Sequence, residues 1–397
     1  MSRVILSNGI FFINGSFEQC DLLIQKGTIT EVSHHVPPLR RDLVIDLDGL
    51  CGIPALINSH DHLEFNLFPK LGNPPYRNYV EWTHDVQSNF RPEIERVLKV
   101  PLKLRLLWGA YKNLFSGVTT VVHHNDYYRQ FHLNFPVDVF RNYSWMHSMK
   151  LEPFLSKKLR IADTKPFVVH LAEGTDALAR EEIVTFHQLR GFSPRTVIVH
   201  GIGISDAGRE ILERSGASLV WCPTSNVFLF NATAPVEKLK MPIALGTDST
   251  ISGGNSLLEE LRTARRLKHL TTQELVYMVT GIPAKIFGMD KGRIEIGARA
   301  DILLFERKSP DPLEDLLSLR SNQIKCLFRD GCVLYADTRF EKFTPGKHQF
   351  VLVDGIEKLL AGNFARTVHR IKKYLPSLSW SNLGIDDLSF PDRGKQY

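Results

Sequence analysis

Gly52-Ile-Pro-Ala-Leu-Ile-Asn-Ser-His60-Asp61-His62-Leu63-Glu64 is a short apolar run, bounded by Gly and Pro, that ends in two histidines two residues apart. Such a run reads as a buried strand. Side chains alternate along a strand, so His60 and His62 share a face while Asp61 points the other way. Two imidazoles converging at a strand end begin a metal site, provided that other parts of the chain supply further ligands.

On the N-terminal side, residues 4–50 alternate short β-rich runs with Asn-Gly, Lys-Gly and Pro-Pro punctuation, the texture of a small antiparallel sheet. Residues 292–335 repeat that texture, and the two segments are expected to pair, because the ends of one domain often lie close together. Between them, apolar strands alternate with amphipathic helical stretches. Strands are expected at 52–59, 117–124, 143–149, 167–171, 197–201, 218–222 and 243–247, and helices at 91–115, 176–189, 205–215, 256–268 and 272–282. This alternation implies parallel strands joined by crossover helices, and about 240 residues is the size of a (β/α)8 barrel. Only seven strands are visible, and the span 124–167 is tight for two further βα units, so the expectation is a distorted TIM-like barrel. The expected organisation is a composite β-sandwich of 1–51 and 292–350, a barrel over 52–291, and a C-terminal helix (359–374) and tail within 351–397.

The 397 residues are 43% hydrophobic, ordinary for a soluble protein with a sizeable core. A net charge of +6 without any long Lys/Arg block argues against nucleic-acid or membrane-surface partners and leaves an anionic substrate open; the partner expected is a small-molecule substrate. The first residues are too briefly apolar for a signal peptide, and no run approaches the ~18 apolar residues of a membrane span. Cys20, Cys51, Cys222, Cys326 and Cys332 form no C-x-x-C pair, as expected of free thiols in a reducing cytoplasm.

In a barrel of this kind, chemistry sits at the C-terminal ends of the strands. Pro166-Phe-Val-Val-His170-Leu-Ala-Glu173 places a histidine at a strand end with a glutamate three residues on. Thr196-Val-Ile-Val-His200 supplies another histidine, and Pro242-Ile-Ala-Leu-Gly-Thr-Asp248-Ser249 ends in a carboxylate. Taken singly, His170 or His200 reads more often as a hydrogen-bonded structural group than as a ligand, and Asp248 reads equally as a turn cap. Together with His60 and His62 they deliver metal-competent side chains from four strand ends to one pole.

The order His60-x-His62, His170 with Glu173, His200, then Gly246-Thr-Asp248 resembles the metal-dependent amidohydrolase superfamily. Within it the chain looks like the mononuclear branch holding guanine, cytosine and S-adenosylhomocysteine deaminases and the triazine hydrolases. Gly117-Val-Thr-Thr-Val, Cys222-Pro-Thr-Ser-Asn226, Leu257-Leu-Glu-Glu-Leu-Arg262 and Gly292-Arg-Ile-Glu-Ile-Gly-Ala-Arg-Ala-Asp301 add to the likeness. The resemblance implies one divalent metal, usually zinc with Fe or Mn as alternatives, held by His60, His62, His170 and Asp248, and at family level a homodimer. Binuclear relatives carry a carboxylated lysine, for which Lys150 is the candidate, but the spacing of His170 and Glu173 belongs to the mononuclear type.

The activity so implied is attack of metal-activated water on a carbon–nitrogen bond, foremost deamination of an aminated heterocycle. Hydrolysis of a cyclic amide or of another leaving group on a heteroaromatic ring is the alternative, and a catalytically retired binding module a third. Asp248 takes the water's proton, His200 orients the nucleophile and steadies the developing oxyanion, and Glu173 donates to a ring or leaving nitrogen. Substrate-facing candidates are Glu64, Trp82, His84, His123, His124, Asn226 and Ser249. His123 and His124 alternate, so at most one faces the site, and the aromatic-rich segment 65–82 reads as a lid.

Overall fold

A computed structural model of the chain describes residues 3–391 apart from 133, 153–163 and 345. Part of the tight span 124–167, and residues 392–397 of the tail, therefore lie outside the described residues.

The N-terminal strands β1 (Val4–Ile13), β2 (Ser16–Gln25), β3 (Thr28–Ser33), β4 (Leu43–Asp46) and β5 (Cys51–Pro54) are followed by eight strands in the middle of the chain. These are β6 (Leu56–Asp61), β7 (Val118–His123), β8 (Asp138–Val139), β9 (Ser144–Ser148), β10 (Phe167–Leu171), β11 (Thr196–His200), β12 (Ser218–Trp221) and β13 (Ile243–Leu245). Then come β14 (Ile302–Phe305), β15 (Cys326–Arg329), β16 (Cys332–Asp337), β17 (His348–Val353), β18 (Ile356–Ala361) and β19 (Leu388–Ser389).

The two β-rich ends of the chain do join. They form one 11-stranded sheet, ordered β19-β17-β18-β16-β15-β14-β5-β1-β2-β3 with β4 beside β1. The seam is antiparallel, running from Cys51 opposite Phe305 to Pro54 opposite Ile302. Four hairpins in this sheet turn on Asn14-Gly15, Lys26-Gly27, Asp330-Gly331 and Asp354-Gly355, each with φ positive at both residues. That is the tight turn whose twist matches its flanking strands, which is why X-Gly punctuation was readable. Leu6, Phe11, Leu22, Ile45, Ile302, Leu304, Phe328 and Leu359 form its buried core.

The middle strands form two sheets, β6-β7-β8 and β13-β12-β11-β10-β9, parallel throughout. At their C-terminal ends β6 and β13 meet, where the His60 carbonyl accepts from Thr247 N–H and Asp248 N–H, both at 3.0 Å. Val122, Val168, Val197, Val199, Val220 and Ala244, from five of these strands, share one buried cluster. His124 and His170 follow Val122 and Val168 by two residues and so stand on the same faces as that apolar layer.

The structure adds β8 as an eighth strand to the seven expected; at two residues it is too short to leave a period-2 pattern. The helix expected over 91–115 is two, Arg91–Leu98 and Leu102–Phe115, separated at Pro101, which has no N–H to donate. That expected over 272–282 is likewise two, Thr272–Tyr277 and Gly281–Phe287. The helix expected over 359–374 spans Phe364–Lys372, because residues 356–361 are strand β18. No helix among the described residues is long and apolar enough to cross a membrane, and the five cysteines are free thiols.

Candidate metal centre

The turns that leave the strands bring the site together. His60 and His62 come from the end of β6, His170 from β10, His200 from β11, and Asp248 follows β13. Ala172, His200 and Asp248 have φ of 54°, 73° and 54°. A non-glycine residue in the left-handed region costs on the order of 1–3 kcal/mol and persists where surrounding structure enforces it, typically at a functional site. Three such residues lie at the three strand ends that supply His170 with Glu173, His200 and Asp248.

One ring nitrogen each of His60, His62 and His170 lie within 4.8 Å of one another, and all three residues are buried. Asp248 Oδ1 is 3.7 Å from His62 Nε2 and 3.9 Å from His60 Nε2. The Nδ1 of His170 faces the His147 carbonyl at 3.0 Å. A carbonyl only accepts, so Nδ1 carries the proton, and the Nε2 lone pair points at His60 Nε2, 3.2 Å away. Burial, reinforced by the neighbouring imidazoles, pushes the pKa values of His60 and His170 well below the ordinary value, which keeps both neutral. For Asp248, burial alone would raise the pKa, but His62, His200 and the Ser252 and Ser225 hydroxyls outweigh it and hold the carboxylate ionised. Those hydroxyls donate to Oδ2 at 2.7 and 2.9 Å, leaving Oδ1 with the Ser249 N–H at 2.8 Å. Neutral imidazoles with lone pairs converging on an anionic oxygen fit a divalent metal of the zinc type.

Around this set lie further buried polar groups. His200 Nε2 is 3.7 Å from Glu173 Oε1, and His200 Nδ1 bonds Asn226 Oδ1 at 2.9 Å. Glu173 is buried, and that burial, with the nearby charges of Asp248 and Glu182, raises its pKa well above the carboxylate range, so it holds a proton. Its turn is pinned from two sides. Tyr79 N–H donates to the Glu173 carbonyl at 3.2 Å, and Ala172 N–H donates to Glu182 Oε2 at 2.9 Å.

The substrate candidates separate. The His124 ring lies 4.4 Å from that of His170 and 4.9 Å from that of His60, so of the alternating pair it is the one beside the site. His123 turns away, with Nδ1 accepting from Leu63 N–H at 3.3 Å and Nε2 3.6 Å from Glu64 Oε2. Glu64 is buried and accepts from Asn125 at 2.7 Å and Tyr128 at 3.3 Å. Asn226 grips His200, and Ser249 serves Asp248 through its backbone N–H. His84 is exposed on the helix Tyr79–Asn89, and Trp82 on the same helix donates Nε1–H to the Leu71 carbonyl at 3.0 Å. The expected lid thus contains a docked helix. Lys150 is exposed. The end of β9 instead presents His147, its ring 4.8 Å from that of His170. His147 had been passed over, although it obeys the same strand-end rule that found His170.

Residues 153–334 match the family model described as the Amidohydrolase family. A 5-methylthioadenosine/S-adenosylhomocysteine deaminase of Pyrococcus furiosus is 26% identical over 85% of this chain and 96% of that protein. A 5'-deoxyadenosine deaminase of Methanobrevibacter smithii is 24% identical over 76% of this chain and 83% of its own length. Among solved structures, a zinc-bound adenosine deaminase from Xanthomonas campestris superposes with a TM-score of 0.73 at 15% identity, covering 95% of this chain and 98% of that one. A zinc-complexed atrazine chlorohydrolase from Arthrobacter aurescens gives 0.72 at 17%, covering 95% and 100%. These two share the fold. With three strand ends delivering three imidazoles and one carboxylate to a single point, the chain is a member of the amidohydrolase superfamily and a metal-dependent hydrolase.

Proposed function

We propose that the chain is a mononuclear hydrolytic deaminase of aminated heterocycles, with one zinc ion held by His60, His62, His170 and Asp248. The observation that carries this reading is Glu173: a buried, protonated carboxyl beside His200 and next to the ligand cluster, placed to give a proton rather than to bind a second metal. When bound, such an ion would supply a water that ionises near neutrality. Asp248 Oδ1 accepts that water's proton, and His200, held by Asn226 with its free Nε2 inward, orients the oxygen toward the electron-poor ring carbon. Glu173 gives its proton to the ring nitrogen as the C–O bond forms. The C–N bond then breaks and the amino group leaves as ammonia with the proton first held by Asp248, while the proton left on the added oxygen passes to Glu173 as the carbonyl forms, restoring its acid form. The names of the relatives support aminopurine nucleosides as the first substrates to test, and the positions of His124 and His147 beside His170 and of Glu64 against Asn125, which also faces His62, support these three as side chains of the substrate pocket.

The same family reading supports closure of the two parallel sheets into a distorted (β/α)8 barrel over residues 52–291. It also supports a composite sandwich beside that barrel, a homodimer and a cytoplasmic location. The deciding assay is ammonia release by the zinc-loaded protein from a panel containing adenosine, 5'-deoxyadenosine, 5-methylthioadenosine, guanine, cytosine and melamine. Turnover of an amino heterocycle that Glu173→Gln abolishes supports the reading; a panel with no ammonia released above the metal-free control overturns it.

A further inference from the structure

Asp61, between the two histidines of the opening motif, points away from the metal ligands, yet it is fully buried and so is its partner Lys112. Lys112 belongs to the helix Leu102–Phe115, and its ammonium has four protein acceptors from three segments. They are Asn66 Oδ1 at 2.8 Å, Thr247 Oγ1 at 3.0 Å, Asp61 Oδ2 at 3.3 Å and the Asp248 carbonyl at 3.4 Å. Asp61 is satisfied in turn by Asn113 at 2.7 Å, Asn66 at 2.8 Å and Asn58 at 3.3 Å. Asn58 also reaches across, donating to Thr247 Oγ1 at 2.8 Å and accepting from Thr247 N–H at 3.1 Å.

Taking an ammonium and a carboxylate out of water is costly, and a hydrophobic pair of similar volume commonly stabilises a fold as well or better. Packing alone therefore does not account for this pair, and its geometry supplies another reason. Two of the four Lys112 acceptors, Thr247 Oγ1 and the Asp248 carbonyl, lie in the turn that carries the carboxylate ligand, and Asp248 itself has φ of 54°. The other two lie on the strand and loop that carry His60 and His62.

We infer that Lys112 and Asp61 are positioning residues: a buried ion pair that fixes the Asp248 turn against the His60/His62 strand and so sets the geometry of the metal ligands. The inference rests on the reading that His60, His62, His170 and Asp248 hold one divalent ion. Neither residue is among the four ligands so read. Their role is that of the outer partners that orient ligands, whose loss costs metal affinity.

The test compares Lys112→Met with the charge-neutral pair Lys112→Met/Asp61→Asn, which remains informative where the single variant leaves Asp61 unpaired and does not fold. Zinc affinity is read by competition with a chromophoric chelator, ligand geometry by the visible spectrum of the cobalt-substituted protein, and the fold by the metal-free unfolding midpoint. The double variant is expected to bind zinc 10–100-fold more weakly and to shift the cobalt bands. Wild-type affinity in any folded variant overturns the inference, as do unmoved cobalt bands in a variant whose unfolding midpoint has dropped. Asp248→Ala separates the two readings. If it binds zinc like wild type, the ligand assignment has failed; if it loses zinc while the Lys112 variants do not, only the positioning role has.

Discussion

Glu173 and His200 are 3.7 Å apart, and their protonation states follow from burial: one carboxyl kept protonated, one imidazole kept neutral. Glu173→Gln retains hydrogen-bonding capacity but not the transferable proton. It should keep full metal content while kcat falls about 10²–10⁴-fold, checked by metal analysis and steady-state ammonia release. The buried histidines also set an acid limit on stability. Burial lowers His147 to about 4 and His123 to about 3, in each case helped by His62. Unfolded histidine titrates near 6.5, so below that pH these histidines bind more protons in the unfolded chain than in the folded one. Above about 4.5 the raised carboxyls of Glu173, Glu182 and Glu260 work in the opposite direction, so the net loss for the metal-free protein, a few kcal/mol, is expected as the pH falls from about 4.5 to about 3; denaturant titrations at stepped pH check this. At this scale the clustering of His60, His62, His170 and Asp248 was legible because each ends an apolar run. Lys112 was not: on a helix with polar neighbours in sequence, a lysine reads as a solvent-facing residue, and only the fold reveals that three segments close over it.

The helix Leu102–Phe115 docks against the loop behind His62 through Gly109. A Cβ there would lie 2.2 Å from the Leu63 carbonyl oxygen and 2.9 Å from Asn66 Nδ2. Helix propensity favours alanine over glycine by about 1 kcal/mol, but overlap with a backbone carbonyl outweighs it. Gly109→Ala should therefore destabilise the fold by about 1–2 kcal/mol and weaken zinc binding, whereas a gain in the unfolding midpoint would contradict this docking. Elements with strong periodicity or X-Gly turns were readable. Those that were missed lack such signals: β8 has two residues, and the helix Pro223–Phe230 opens with Pro-Thr-Ser-Asn, a sequence equally suited to a turn. Aromatic residues spaced along 65–82 hid the helix Tyr79–Asn89 within an apparent loop.

Across the whole molecule, the β-rich texture at both ends announced their union, but the reach of the C-terminal segment was not visible. Trp380 stacks on Trp108 with ring centroids 6.1 Å apart, and Asn382 donates to the Phe68 and Asn66 carbonyls at 3.0 and 3.4 Å. The end of the chain thereby buttresses the loop that follows His62, and Asn66 connects that loop to Asp61 and Lys112. Asn382→Ala should cost about 1 kcal/mol of stability, with the unfolding midpoint falling in the metal-free and zinc-bound proteins alike. What makes the fold necessary to the chemistry is that His60 and His62 meet His170 and Asp248 across more than a hundred residues of sequence. The zinc stoichiometry of wild-type, His170→Ala and Asp248→Ala proteins at equilibrium therefore tests fold and site together. About one equivalent in the wild type and a steep loss of affinity in both variants is the expected result; wild-type zinc binding in either variant would contradict it.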